Sequence, residues 1–431
     1  METEYLKIAE QAARYKTVQN LMNSVNANTL KAAHMRQSKK KAAGVDKMTK
    51  DLYEENLDEN LENLIARMKQ FAYKPLPVRR TYIPKDASGK MRPLGIPAYE
   101  DKLVQGVMAN ILTQVYELKF MDCSYGFRPG RNCHKAISRM DEIIVTKKTS
   151  FIVDADIKGF FDNVNHDWLI KFLEHDIEDK NFIRYVKRFL KSGIMEDGKL
   201  IESDKGTPQG GLISPILANV YLHYVLDLWF EKKIRREFSG DAHMVRYADD
   251  FVCCFQYESE AKKFFKMLKE RFAKFGLELA EEKSKVIRFG RFAKRDGSKD
   301  TFDFLGFTHS NATNWNGKYI VHHQTAQKKF TAKLKAAKAW LRANNQMDKC
   351  GLVRKLNKKL MGHYRYYGIT GNTRRMEMFL YYVTRALYAA LNKRSQRRMT
   401  WDYFNKFLSY NPLATPKIYY LLGGNVKQMT S

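Results

Sequence analysis

The chain has 431 residues, enough for two or three lobes and a sizeable core. Lysine and arginine number 76 against 47 acidic residues. A formal charge of +29 repels itself unless a polyanion supplies countercharge, so nucleic acid is the first partner to expect, with a membrane surface the lesser reading. No apolar run of about 18 residues and no signal peptide is written in it, which points to an intracellular, cytoplasmic protein with no membrane partner. Cys123, Cys133, Cys253, Cys254 and Cys350 form an odd set without a C-x-x-C pair, against both a disulfide framework and a zinc module.

Residues 1 to 75 read as helical: Leu57, Leu61, Leu64, Ile65 and Met68 recur at helical spacing, and the Gly44-Val45-Asp46 turn follows the Lys39-Lys40-Lys41 run. From Arg79 the texture changes to short strands. Thr81 to Pro84 and Arg92 to Pro97 predict a hairpin turning at Ser88-Gly89. A helix is expected through Asp101 to Leu118 and a strand through Phe151-Ile152-Val153, with nothing assigned between them. More helix runs to about Leu190, then a hairpin turns at Asp197-Gly198.

After Gly206 a helix carries Leu217, Val220, Tyr221, Val225 and Leu228 on its apolar face. Strands flank Asp249 and Asp250, with Cys253 and Cys254 expected to be buried in the second. A helix over 259–275, a strand over 284–289 and a hairpin at Asn316-Gly317 follow. From about Thr325 the pattern is helical and basic, with Phe330, Leu334, Ala337 and Leu341 on one face and Lys328, Lys329, Lys333 and Lys338 on the rest. The class is therefore α+β, divided into an N-terminal extension (1–75), a mixed middle (76–318) and a helical C-terminal region (319–431).

Two acidic segments carry the chemistry. Tyr247-Ala248-Asp249-Asp250 lies between strand-forming runs and reads as a tight hairpin with carboxylates at its tip. Adjacent anions repel, which makes sense where a divalent cation neutralises them. A bare Asp-Asp turn is ordinary. The second segment, Phe151 to Asp162, brings Asp156 to the end of another strand. Three carboxylates from two strands suit a pair of magnesium ions that stabilise attacking and leaving oxygens in phosphoryl transfer, with manganese as an alternative ion. Asp154 and Asp162 compete within that segment and read as structural, Asp162 as a cap of the following turn.

The motifs in series resemble the reverse transcriptases encoded by group II introns, the intron maturases. They are Gly44-Val45-Asp46, Ile83-Pro84-Lys85 through Gly95-Ile96-Pro97, Tyr125-Gly126-Phe127-Arg128-Pro129-Gly130-Arg131, the Asp156 segment, Gly206 to Pro215, the Tyr247 tetrad, Glu282-Lys283-Ser284-Lys285 and Phe304-Leu305-Gly306-Phe307. The resemblance implies a right-hand polymerase: fingers and palm to about residue 318, then an α-helical thumb. It implies catalytic roles for Asp156, Asp249, Asp250 and Lys283, the last as proton donor to the leaving pyrophosphate, and places Ile157 with the three acids among the metal-holding positions. Lys85, Arg92, Phe161 and Gln209 would bind the nucleotide, Phe161 as the gate against a 2′-hydroxyl, with Phe160 filling the core. Ala280 departs from the asparagine that many relatives carry.

Leu360-Met361-Gly362-His363-Tyr364-Arg365-Tyr366-Tyr367-Gly368, then Arg394-Ser395, Trp401 and the segment from Pro412 to Ile418, resemble the maturase thumb. His363 reads as a satisfied helix histidine, and at least two of the three tyrosines as core. The family implies an RNA template, a DNA or RNA primer, deoxynucleoside triphosphates, the parent intron RNA and target DNA as partners, and a bacterial, nucleoid-associated setting. It also implies a mobile element that assists RNA splicing. The cysteine-paired endonuclease domain of some relatives is not expected. Two other readings remain open at this point: a reverse transcriptase recruited to phage defence or CRISPR adaptation, and an RNA-binding splicing factor without polymerase activity.

Overall fold

The computed structural model describes residues 2–84, 91–202, 204–207, 210–393 and 399–422. The chain opens with four helices, α1 (Glu2–Arg14), α2 (Ala27–Arg36), α3 (Lys50–Glu54) and α4 (Leu57–Lys69). Asn26 and Thr29 start α2 with a reciprocal capping box. The long helix α5 (Tyr99–Glu117) is buried along most of its length, and the Gly44-Val45-Asp46 turn docks on its start. Asp46 Oδ2 accepts from Tyr99 N at 2.9 Å, while a Cβ on Gly44 would stand 2.6 Å from Pro97 O.

Strands β1 (Val78–Pro84) and β2 (Met91–Ile96) form the expected hairpin. The short pair β4 (Ile194–Glu196) and β5 (Lys199–Ile201) extends it through a parallel contact of β1 with β4, giving the order β2-β1-β4-β5. Helices α6 (Cys133–Thr146), α7 (Phe160–Asn163), α8 (His166–Asp176), α9 (Lys180–Leu190) and α10 (Ser214–Leu222) follow in the chain, with α8 packed against both α9 and α10. α6 is the element the sequence reading leaves out. Asn132 caps it, and Ala136, Ile137, Met140, Ile143 and Ile144 are buried at helical spacing.

The central sheet runs β6 (Ala242–Tyr247), β7 (Asp250–Phe255), β3 (Phe151–Ala155), β8 (Lys285–Arg288), all antiparallel neighbours. Two π-helical stretches and the short α11 (Arg235–Glu237) lead into it, and α12 (Glu258–Lys274) packs on it. After α13 (Arg291–Arg295) comes a three-stranded sheet, β9 (Thr301–Phe304), β10 (Phe307–Thr313) and β11 (Tyr319–Thr325). The expected boundary between 318 and 319 falls inside this hairpin, where Thr313 pairs with Tyr319 and Phe307 with Thr325. Cross-strand pairing carries the mixed region to Thr325, and helix begins at Gln327.

The helical region is α14 (Gln327–Ala343), α15 (Lys349–Tyr367), α16 (Thr373–Asn392) and α17 (Trp401–Tyr410), with its own apolar cluster around Leu352, Leu356, Leu360, Tyr364 and Leu387. It is fastened to the mixed region by Tyr366, whose hydroxyl donates to Leu305 O at 2.9 Å and whose carbonyl lies 2.7 Å from His134 Nε2. Cys253 and Cys254 are buried thiols, as expected. Among the described residues no helix is long and apolar enough to cross a membrane.

Candidate active site

The hairpin of β6 and β7 closes with Tyr247 opposite Asp250, leaving Ala248 and Asp249 as its two-residue turn. Ala248 sits at φ 58°, a left-handed conformation that its Cβ disfavours by roughly 1–2 kcal/mol, so neighbours must hold it there. In the next strand Ala155 pairs with Phe251, and one residue further Asp156 comes level with Asp250. The three acids thus meet at one end of the central sheet.

Several contacts fix Asp156. Its N–H donates to Ser284 Oγ at 3.2 Å, its carbonyl accepts from Ala280 N at 2.8 Å, and its Oδ2 lies 3.0 Å from Lys283 Nζ. Ala280 itself is buried, and its carbonyl takes the Ser284 hydroxyl at 2.9 Å. The departure from asparagine therefore leaves the Asp156 backbone anchored.

Electrostatics mark the same place. Asp250 keeps a face open to solvent, yet the protein around it, with Asp249 and Asp156 as further anions, pushes its carboxyl up to about 6. Burial and Asp156 raise Asp249 as well, against the pull of Arg92 and Arg246. Asp154, opposite Lys285 in the register, is driven by burial to about 7, with Asp250, Asp303 and Asp156 adding to the rise. Lys283 is raised by its hydrogen bond and charge contact with Asp156. A cluster that resists ionisation in this way gains from a cation, and its all-oxygen donor set fits magnesium rather than zinc. Ile157 buries an apolar side chain opposite Leu279, so it can offer such an ion only its main-chain oxygen.

The remaining candidates divide. Arg92 lies on β2 opposite Ile83, exposed, with its charge felt at Asp249. Phe161 is half-buried and meets the buried Phe160 edge to face at 5.3 Å. Its carbonyl accepts from Thr207 N at 2.7 Å, which ties the Gly206 loop to it. Further along that loop, Gly210 at φ 116° approaches β2 so closely that a Cβ would sit 2.4 Å from Gly95 O. Lys85 and Gln209 lie outside the described residues, as do Ser88-Gly89 and Arg394-Ser395. Asp162 is no cap: it falls inside α7, and the Asn163 side chain closes the turn instead, donating to the carbonyls of Lys158 and Gly159 at 3.1 Å each.

A cleft of about 850 Å³ opens beside the acids, with Asp249, Asp250 and Tyr247 on one wall and Lys329, Lys333 and Lys359 of the helical region on the other. His363 also lines it. The ring is buried and stacked on Phe379 at 3.9 Å, but its Nδ1 has no hydrogen-bond partner, so the expectation of a satisfied histidine holds only for its packing. Burial lowers it to about 4 and keeps it neutral. Tyr364 and Tyr367 are core residues, as expected.

Sequence reasoning missed three features. Lys329 faces Asp250 closely enough to pull its pKa down against the overall rise, a placement that requires knowing how α14 docks. Arg246 is fully buried beside the turn, and its signal was a lone arginine in an apolar strand. Asp141, His309 and His323 form a second buried cluster with ligand atoms within 4.8 Å of one another. His323 Nε2 meets Asp141 Oδ2 at 2.7 Å, and the two Nδ1 atoms lie 2.9 Å apart. Imidazoles make this a poor magnesium site.

A model of the reverse transcriptase (RNA-dependent DNA polymerase) family matches residues 83–309. The group II intron-encoded protein LtrA of Lactococcus lactis subsp. cremoris is 35% identical over 246 residues, 55% of this chain and 41% of that protein. Protein YkfC of Escherichia coli is 35% identical over 202 residues, 45% of this chain and 52% of its own. A 91 kDa protein in the cob intron of Schizosaccharomyces pombe is 37% identical over 203 residues, 46% of this chain and 24% of that one. The chain thus spans about half or less of the length of these relatives.

The mixed fold and the family model agree on the class of protein. The chain belongs to the reverse transcriptase family, and the resemblance to intron-encoded members read from its motifs is borne out.

Proposed function

We propose that the protein is an RNA-directed DNA polymerase that extends a primer 3′-hydroxyl with deoxynucleotides. One observation carries the reading: Asp156, Asp249 and Asp250 converge at the end of the central sheet, with Asp249 and Asp250 on one wall of a cleft that also presents Lys329, Lys333 and Lys359. In this reading residues 1–75 are an extension, the middle to about 318 is fingers and palm, and the remainder is thumb.

Asp156, Asp249, Asp250 and the Ile157 carbonyl would hold two magnesium ions, or manganese in their stead. When bound, such ions supply Lewis-acid activation of the hydroxyl and neutralise the triphosphate. Lys283 holds a proton at Nζ, available to the pyrophosphate as its bridging oxygen gains charge. Arg92, with Lys85, grips the triphosphate from the fingers hairpin, where a fixed cation offsets charge that builds during transfer. The Phe161 ring stands under the sugar and leaves no room for a 2′-hydroxyl. Gln209 contacts the incoming nucleotide, and the glycines beside it let the backbone approach. Lys329, Lys333 and Lys359 hold the phosphates of the template–primer duplex.

The intron origin stated in the relatives' names supports a second role: binding the parent intron RNA to assist splicing, then copying it at a DNA target. The test is primer extension on an RNA template with deoxynucleotides and magnesium. Extension is expected from the wild type and is abolished in Asp249→Asn while RNA binding persists. A wild-type protein that binds RNA but never extends a primer overturns the enzymatic reading.

A further inference from the structure

Arg246 stands two residues before Ala248, the first residue of the turn, and has no access to solvent. A guanidinium carries five N–H donors, and here five hydrogen bonds are made. Nε donates to Asp227 Oδ1 at 2.7 Å and Nη2 to Asp227 Oδ2; Nη2 also donates to Ser124 Oγ at 2.8 Å. Nη1 donates to Asn219 Oδ1 at 3.0 Å and to Ala248 O at 2.9 Å. The last bond grips the carbonyl of the residue held at φ 58°.

The Tyr125-Gly126-Phe127-Arg128 motif, which the polymerase roles above leave unexplained, belongs to the same assembly. Arg246 N donates to Cys123 O at 2.7 Å and Tyr125 N to Arg246 O at 2.8 Å, so the motif's first residues run beside β6. Asn219 Nδ2 donates to Gly126 O at 2.7 Å. Any side chain on Gly126 would put a Cβ 2.2 Å from Ala248 N, so the arch presses on the turn itself. Arg128 secures the arch from below, donating to Glu117, Met121 O and Ser124 O. Asp227 ends the π-helical stretch His223–Asp227, a geometry concentrated at functional sites.

Stability alone does not account for this arrangement. A buried ion pair is commonly no better than a well-packed apolar pair of the same volume, because both charges lose water. What an apolar pair cannot supply is a donor to Ala248 O. We infer that Arg246, held by Asp227 and Ser124, is a positioning residue: it clamps the Ala248 carbonyl, fixes the turn, and so sets where Asp249 and Asp250 place their oxygens. The inference rests on the polymerase reading.

The test replaces the pair by apolar residues, Asp227→Leu with Arg246→Met, in the full chain. The double variant is expected to unfold cooperatively near the wild-type temperature and to bind a template–primer duplex with the wild-type Kd. Its kcat should fall on the order of 100-fold, as for a misplaced catalytic group, with the KM for deoxynucleotide little changed. Calorimetric titration with magnesium alone should show affinity several-fold weaker than in the wild type. A double variant with wild-type kcat and magnesium affinity overturns the proposal and leaves the network a matter of folding. Should the double variant not fold, Ser124→Ala decides by the same two readings, several-fold loss supporting the role and no change overturning it. A wild type that takes up magnesium but extends no primer counts against the polymerase reading instead, while the calorimetric comparison still judges this one.

Discussion

Lys283 Nζ and Asp156 Oδ2 lie 3.0 Å apart, so a lysine proposed as proton donor is paired with an acid proposed as metal ligand. The pair is more than half exposed on the lysine side and contributes little to stability. Its interest is functional: a carboxylate engaged by magnesium cannot hold the ammonium as firmly. We expect the reactivity of Lys283 toward an acylating reagent, followed by mass spectrometry, to rise severalfold when magnesium is added. Equal labelling with and without magnesium would separate the lysine from the metal site. Lys283→Ala should lower kcat by about 100-fold while leaving the Kd for template–primer unchanged.

Asp154 gives a pH signature. Its folded pKa of about 7 lies above the usual carboxylate value, because burial and neighbouring acids resist its ionisation. Its stabilising contribution is therefore complete below the unfolded pKa near 4 and is lost as pH rises through about 7. In metal-free protein, Asp154→Asn should gain on the wild type by about 2 kcal/mol between about pH 5 and about pH 8, measured by denaturant titration. A gap that stays constant with pH refutes the assignment.

Phe161→Ala should open room for a 2′-hydroxyl. The ratio of kcat/KM for ribonucleotides to that for deoxynucleotides is expected to rise about tenfold or more, while Phe160→Ala lowers thermal stability instead. An unchanged ratio in single-nucleotide incorporation assays would remove Phe161 from the sugar site.

Lys329, Lys333 and Lys359 line the cleft wall facing Asp249 and Asp250. Replacing the three with glutamine should weaken template–primer binding and flatten its dependence on salt, by about 0.7–0.9 in log-log slope for each phosphate no longer neutralised. Weaker binding with an unaltered slope would mean that the lysines do not meet phosphates.

The parts legible in the sequence were those governed by local pattern. Apolar strand-forming runs on either side of Asp249 and Asp250 indicated the hairpin, and aspartate with glycine at 197–198 indicated a turn in which both residues take positive φ. The Asp249-Asp250 pair alone reads as an ordinary turn, and it became legible as a site only with Asp156 at the end of a second strand. What stayed hidden depended on long-range packing. The lysine wall appears only when α14 docks across the cleft, and Arg246 looks like any basic residue until Asp227, Asn219 and Ser124 close round it. The boundary set at 318 followed a change of texture, whereas strand pairing carried the mixed region through Thr325.

The N-terminal helices bury Leu21, Leu30, Leu61 and Leu64 in the same apolar cluster as Leu103, Val107 and Ile111 of α5. Polar stitches join them further: Tyr99 Oη lies 2.9 Å from His34 Nδ1, and Met22 N donates to Asp179 Oδ2 at 2.9 Å. For anyone trimming this chain to a minimal tool, that geometry sets a floor. A fragment beginning at residue 76 would present the flank of α5 to water as bare hydrocarbon, and would be recovered as aggregate before its acids met a nucleotide.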